Sequence, residues 1–216
     1  MEIIIVSIII VFVLLFLSKL ERMGMSDAEW KGSVSESLVN KELSKLPDKY
    51  IVFNDLLFMN NGRSTQIDHV VVSPYGVFVI ETKGYKGWIF GGENSEFWTQ
   101  VIYHEKYKFY NPLKQNESHI NYLTGLLKFS LFPINFIPIV VFNNDATIKA
   151  YAADDNDVIN RRDLLSTIYK YKENTLTPDN IEYIIDKIRS HASKNSLENK
   201  RKHKNYVEKQ RNKNTW

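Results

Sequence analysis

The chain has 216 residues, with 28 Lys or Arg against 25 Asp or Glu, a formal net charge of +3 and no cysteine. That length gives room for one medium domain with appendages. The missing cysteine excludes disulfides and thiolate metal sites, and five scattered histidines without His-Glu-x-x-His spacing disfavour zinc.

From Ile3 to Leu17 every residue except Ser7 is apolar. With its flanks the run reaches about 18 residues, near the lower limit for a helix crossing a bilayer, so residues 1–20 are expected to form a transmembrane anchor. A cleaved signal peptide is the competing reading. Glu2 in place of a basic start, and the lack of a small-x-small cleavage site, stand against it. Lys19 and Arg22 follow the run, and the positive-inside bias puts that end and the globular part in the cytoplasm. Reversed topology would give meaning to the sequon Asn116-Glu117-Ser118, which reads as incidental.

Ser26-Asp27-Ala28-Glu29 reads as a capping box opening a helix, with Trp30, Val34 and Leu38 recurring on one face. Glu36 lies about half a turn from that stripe, so it can point toward the end of a sheet. Tyr50-Ile51-Val52-Phe53 predicts a first strand, ended by Asn54-Asp55, and Asn60-Asn61-Gly62-Arg63-Ser64 a turn. Two apolar strands follow, joined at Ser73-Pro74-Tyr75-Gly76, where Pro second and Gly fourth suit a type I turn.

Acids interrupt these strands. Glu81 and Lys83 are two apart and leave the second strand on the same face. Antiparallel pairing folds Asp68, near the far end of the first strand, back toward Glu81. Strands this apolar are expected to be covered on both faces, so the carboxylates need Lys83 or a metal to compensate them. Oxygen ligands of this kind suit Mg²⁺ or Mn²⁺.

Trp88-Ile89-Phe90 predicts a fourth strand and Phe97–Tyr103 a fifth, with Trp88 and Trp98 read as core or rim packing and not as base-stacking platforms. Asn111-Pro112 starts a helix running to about Phe129, with Leu113, Ile120, Leu123 and Leu127 inward. Phe136–Phe142 is a further strand. The strand, helix, strand order implies parallel pairing in part of the sheet. Val158-Ile159 suggests another short strand, and helices follow at about 162–171 and 178–193. From Lys187 to Trp216 there are ten Lys or Arg and two Glu, a formal +8, which leaves residues 1–186 at −5. Lys200, Arg201, Lys202 and Lys204 carry much of this tail. It could bind nucleic-acid phosphates, lie on anionic lipid or simply solvate the chain.

The stretches Gln66-Ile67-Asp68-His69, Tyr75–Lys83, Gly87–Gly91, Trp98-Thr99-Gln100 and Asn111–Gln115 together resemble the nuclease-related domain (NERD) family, over roughly residues 31–142. That family is placed with the PD-(D/E)xK nucleases. The resemblance implies an α/β fold with a restriction-endonuclease-like mixed β-sheet core flanked by helices, here preceded by the transmembrane helix. It implies Asp68 and Glu81 as metal-binding carboxylates, Lys83 as the motif lysine and the Thr82 carbonyl as a further ligand. Glu36 would be the acid of the first helix, preceded here by Ser35 where the family has Gly. Gln66, Gln100 and Gln115 would support the site. The expected organisation is an anchor (1–20), a nuclease-like core (26–145), a strand and helical extension (146–193) and a basic tail (194–216). The expected function is a membrane-anchored, Mg²⁺- or Mn²⁺-dependent nuclease facing the cytoplasm, with nucleic acid, DNA before RNA, as partner. The alternative is a non-catalytic nucleic-acid-binding or membrane scaffold protein.

Overall fold

The computed structural model describes residues 27–60, 63–128, 130–150 and 157–192, and Ser7 by itself. The expected anchor over residues 1–20, the capping Ser26 and the basic tail from 194, with Lys200, Arg201, Lys202 and Lys204, lie outside the described residues. Among the described residues no helix is long and apolar enough to cross a membrane.

The fold is mixed α/β, with two mixed sheets and four helices among the described residues. A helix, α1 (Asp27–Leu43), precedes three antiparallel strands, β1 (Ile51–Asn60), β2 (Arg63–Ser73) and β3 (Gly76–Lys83). Then come β4 (Gly87–Phe90), β5 (Phe97–Ile102) and β6 (Glu105–Tyr110), followed by α2 (Pro112–Leu126) and β7 (Phe136–Phe142). The chain continues through β8 (Ala146–Ile148), β9 (Asp157–Asn160), a 3₁₀ turn at Arg161–Asp163, α3 (Leu164–Ile168) and α4 (Pro178–His191).

The larger sheet has the order β1-β2-β3-β7-β9. Its first three strands are antiparallel, and β3, β7 and β9 are parallel. Both faces are covered, which is why β3 is almost continuously apolar. Val70, Val72, Val77 and Val79 pack under Leu123 of α2, Leu127 at its C-terminal cap, and Ile184 and Ile188 of α4. On the opposite face, Val71, Phe78, Ile80 and Val141 pack against Val39 and Leu43 of α1 and Leu164 and Ile168 of α3. The smaller sheet, β6-β5-β4-β8, turns Ile89, Trp98 and Ala146 onto Val140, Phe142 and Leu113.

Several local expectations change. The first strand does not stop at Asn54-Asp55. It continues to Asn60, because Asp55 takes a left-handed φ of 51° within the strand and pairing resumes at Leu56↔Ile67. Aspartate tolerates that conformation better than most residues. On α1 the core-facing residues are Ser35, Val39 and Leu43, so the stripe of Trp30, Val34 and Leu38 is not the packed face. Trp98 is fully buried, whereas Trp88 is 55% exposed and contributes little to the core. The second sheet, with β6 and β8, was not anticipated: β6 is polar and β8 only three residues long.

Candidate active site

The site forms where β2 and β3 part. Their antiparallel ladder ends at His69↔Ile80; continued by one step, that register sets Asp68 opposite Glu81. β3 runs on to Lys83 with only β7 beside it. The freed edge is capped by a side chain: the Thr82 amide donates to Asp68 Oδ2 at 2.8 Å. Glu81 and Lys83 point from β3 toward α2. The Lys83 ammonium lies 2.8 Å from Glu81 Oε1 and donates to Gln115 Oε1 at 2.9 Å. His119 Nε2 meets Glu81 Oε2 at 3.1 Å. Asp68, Thr82, Glu81, Lys83 and Gln115 thus come together.

Burial makes the electrostatics strong. Glu81 is 1% exposed. Burial pushes its carboxyl up, but the Lys83 charge and the His119 hydrogen bond outweigh this and hold it below its ordinary range. Lys83 is pushed down by burial and raised further by Glu81, leaving it above its ordinary range. The Glu81–Lys83 pair is therefore fully charged, and His119 must donate its Nε2–H to the carboxylate. Asp68 differs. Burial and the charges of Glu81 and then Glu36 raise it well above the usual carboxylate range, against the opposing pull of the Thr82 amide and Lys83. The pocket thus holds more acid than its cations neutralise.

Glu36 is carried to this point by α1, which approaches β3 through one glycine. A Cβ on Gly84 would stand 2.7 Å from Ser35 Oγ and 3.0 Å from the Lys31 carbonyl oxygen. Ser35 fits beside it by turning its hydroxyl back onto the Lys31 carbonyl, at 2.9 Å. The serine in place of glycine therefore leaves the packing intact, the small residue being supplied from the other side. Two expected supporting residues do not touch Glu81 or Lys83. Gln66 donates to Asp55 Oδ1 at 2.7 Å, and Gln100 to the Lys86 carbonyl at 2.8 Å. The first orders β1 against β2; the second ties β5 to the entry of β4.

Two residues of α2 were missed. His119 and Asn116 are buried on the face of α2 that meets the sheet. The Asn116 amide donates to the carbonyls of Val79 (2.8 Å) and Ile139 (3.3 Å), fastening the helix to β3 and β7. That burial also leaves the sequon asparagine unavailable as a glycan acceptor. The available signal was the spacing: Gln115 and His119 are one helical turn apart, so they share a face. His119 Nδ1 and Thr82 Oγ1 are buried without a hydrogen-bond partner among the described residues.

Beside the cluster lies a cleft of about 1050 Å³, lined by Trp30, Val34, Leu38, Thr82, Lys83 and Tyr107, among others. The α1 stripe is its wall, which explains why those apolar residues recur without entering the core.

Residues 31–143 match the nuclease-related domain (NERD) description, and the chain is 35% identical over 188 residues to an uncharacterized protein of Bacillus anthracis, covering 85% of this chain and 86% of that one. The chain belongs to the NERD family. No solved structure matches it significantly. The matched NERD region spans α1 through β7 and so contains all of Glu36, Asp68, Glu81, Lys83 and Gln115.

A divalent ion is implied by the nuclease relationship, and the residues fit one in chemistry. The donors are carboxylate oxygens, and the mutual repulsion that raises Asp68 is what a cation relieves. Among the described residues no three His, Asp or Glu side chains are gathered closely enough to hold an ion, and both Glu81 oxygens are engaged, by Lys83 and by His119.

Proposed function

We propose that the protein is a metal-dependent nuclease acting on phosphodiester bonds in nucleic acid, on a restriction-endonuclease-like core. The observation that carries the reading is the Asp68–Glu81–Lys83 cluster at the parting of two strands, buried at Glu81 and half-buried at Asp68 and Lys83, with Lys83 lining a cleft on a NERD domain. The order of three antiparallel strands continued by parallel ones, with helices on both faces, supports that core.

A bound Mg²⁺ or Mn²⁺ would activate a water and neutralise charge on the scissile phosphate. Asp68 and Glu81 would hold that ion, with the Thr82 carbonyl as a further oxygen donor. Glu36 adds negative potential from α1. Lys83 stays protonated beside Glu81, so it acts as an electrostatic stabiliser of the developing phosphorane charge and not as a base. Gln115 orients the Lys83 ammonium, and His119 orients the Glu81 carboxylate. The apolar run at residues 3–17 supports attachment to a membrane with the domain on the cytoplasmic side.

The test is cleavage of labelled DNA and RNA by the purified full chain with and without Mg²⁺. Ion-dependent cutting lost in both Asp68→Ala and Glu81→Ala is expected. Equal cutting by both variants removes the assignment. The non-catalytic alternative draws on one observation, the engagement of both Glu81 oxygens. It predicts binding without cutting under every ion.

A further inference from the structure

The smaller sheet has two faces of opposite character. Its inner face is core, with Ile89, Trp98 and Ala146. Its outer face carries Trp88 (55% exposed), Phe90 (39%), Phe97 (49%) and Tyr110 (46%). The register makes this one surface: Trp88 is paired with Val101 and Val101 with Lys106, Phe90 with Thr99 and Thr99 with Lys108, and Phe97 with Tyr110. The aromatic side chains stand in two edge-to-face pairs. Trp88–Phe90 centroids are 6.2 Å apart at 76°, and Phe97–Tyr110 are 6.2 Å apart at 82°. In such a pair one ring keeps a face free for stacking.

Charge runs the same way. Lys106 and Lys108 leave the edge strand β6 on this face, and Lys149 follows β8 at the other edge. No Asp or Glu shares the outward positions of the four strands, although residues 1–186 carry a formal −5. Lysines at both edges with aromatic rings between them are the arrangement that tracks a phosphate backbone while stacking unpaired bases. A duplex keeps its bases inside and leaves the rings nothing to stack on.

The cleft lies on the other side of this sheet: Ile102 and Tyr107, on the inner side of β5 and β6, line it, and the neighbouring Val101 and Lys106 point away from it. We propose that the outer face of the β6-β5-β4-β8 sheet is a binding platform for single-stranded nucleic acid. This deepens the proposed nuclease activity by naming the form of nucleic acid held, and rests on that reading for the purpose of the binding.

The experiment measures binding by the full-length chain in EDTA, where no metal-dependent cutting occurs. The probes are a fluorescent oligothymidylate, an abasic oligomer of equal length and a duplex. The wild type should prefer oligothymidylate over the abasic oligomer by about tenfold or more. The Trp88→Ala/Phe90→Ala variant should lose that preference while binding duplex as before. Lys106→Gln/Lys108→Gln/Lys149→Gln should flatten the log affinity against log salt slope by about 2. Circular dichroism checks that the exposed substitutions leave the fold intact. An unchanged preference in the aromatic variant overturns the inference, as does a wild type that does not distinguish the two oligomers. Loss of binding to phosphatidylserine vesicles with oligonucleotide binding intact overturns it in favour of a lipid contact. If base-dependent binding is lost as expected but the wild type cuts nothing with Mg²⁺, the nuclease reading fails and the platform stands. Cutting without base-dependent binding is the reverse.

Discussion

Removing charge from Asp68 and from Glu81 should have opposite consequences, because the two carboxylates share one strong cation. Without a divalent ion, Asp68 is the surplus charge: burial, Glu81 and Glu36 all disfavour its ionised form. Asp68→Asn keeps an oxygen to accept from the Thr82 amide and removes the repulsion, so it should leave stability unchanged or raise it. Glu81→Gln removes the counter-ion 2.8 Å from Lys83, whose side chain is only 16% exposed. Breaking a buried pair from one side costs about 3–5 kcal/mol when nothing replaces the partner. Here Asp68 can ionise in its place, so the expected loss is about 1–3 kcal/mol, allowing for the unpaired amide hydrogen or His119 nitrogen that the glutamine leaves. The double variant strands the Lys83 ammonium and should lose the full ~3–5 kcal/mol, more than the sum of the single changes. Urea unfolding of the four proteins in EDTA at neutral pH measures this. At roughly 2–4 °C per kcal/mol for a domain of this size, thermal midpoints resolve it as well. Additivity within about 0.5 kcal/mol would refute the shared-cation argument.

Gly84→Ala drives a methyl against Ser35 Oγ and the Lys31 carbonyl. It should cost about 1–3 kcal/mol, the usual range for overpacking, and should reduce cleavage through displacement of Glu36; unfolding curves and rates of the same preparation check both. His69 is pulled down to about 4, first by burial, with Glu81 and Asp55 opposing. A folded pKa below the ordinary 6.5 means that stability is present above pH 6.5 and lost as pH falls toward 4. The drop attributable to this residue should reach about 3 kcal/mol. It should shrink in His69→Gln, measured by denaturation in EDTA between pH 7 and 4.

Much of the site was legible because strand geometry is periodic. The two-residue spacing of Glu81 and Lys83 fixes a common face, and the Ser73–Gly76 turn fixes the register that returns Asp68 to Glu81. Asn111-Pro112 likewise announced α2, whose asparagine side chain accepts from the Leu113 amide at 2.9 Å. Other features were hidden because they depend on tertiary neighbours. The apolar Trp30, Val34 and Leu38 stripe resembles a core face in sequence, but it walls a cleft. Asn54-Asp55 carries the composition of a strand end, yet pairing with β2 carries the strand through it. Trp88 and Trp98 are equally aromatic, and only the order of the second sheet assigns one to each side. His119 carried no motif of its own, and its role emerges only once α2 lies over β3.

The most direct measurement of the central claim is Mn²⁺ binding to the full chain, followed by electron paramagnetic resonance titration. If Asp68 and Glu81 share an ion, the wild type binds it, and Asp68→Asn and Glu81→Gln each lose that binding while remaining folded. Equal Mn²⁺ affinity in all three proteins would contradict the account.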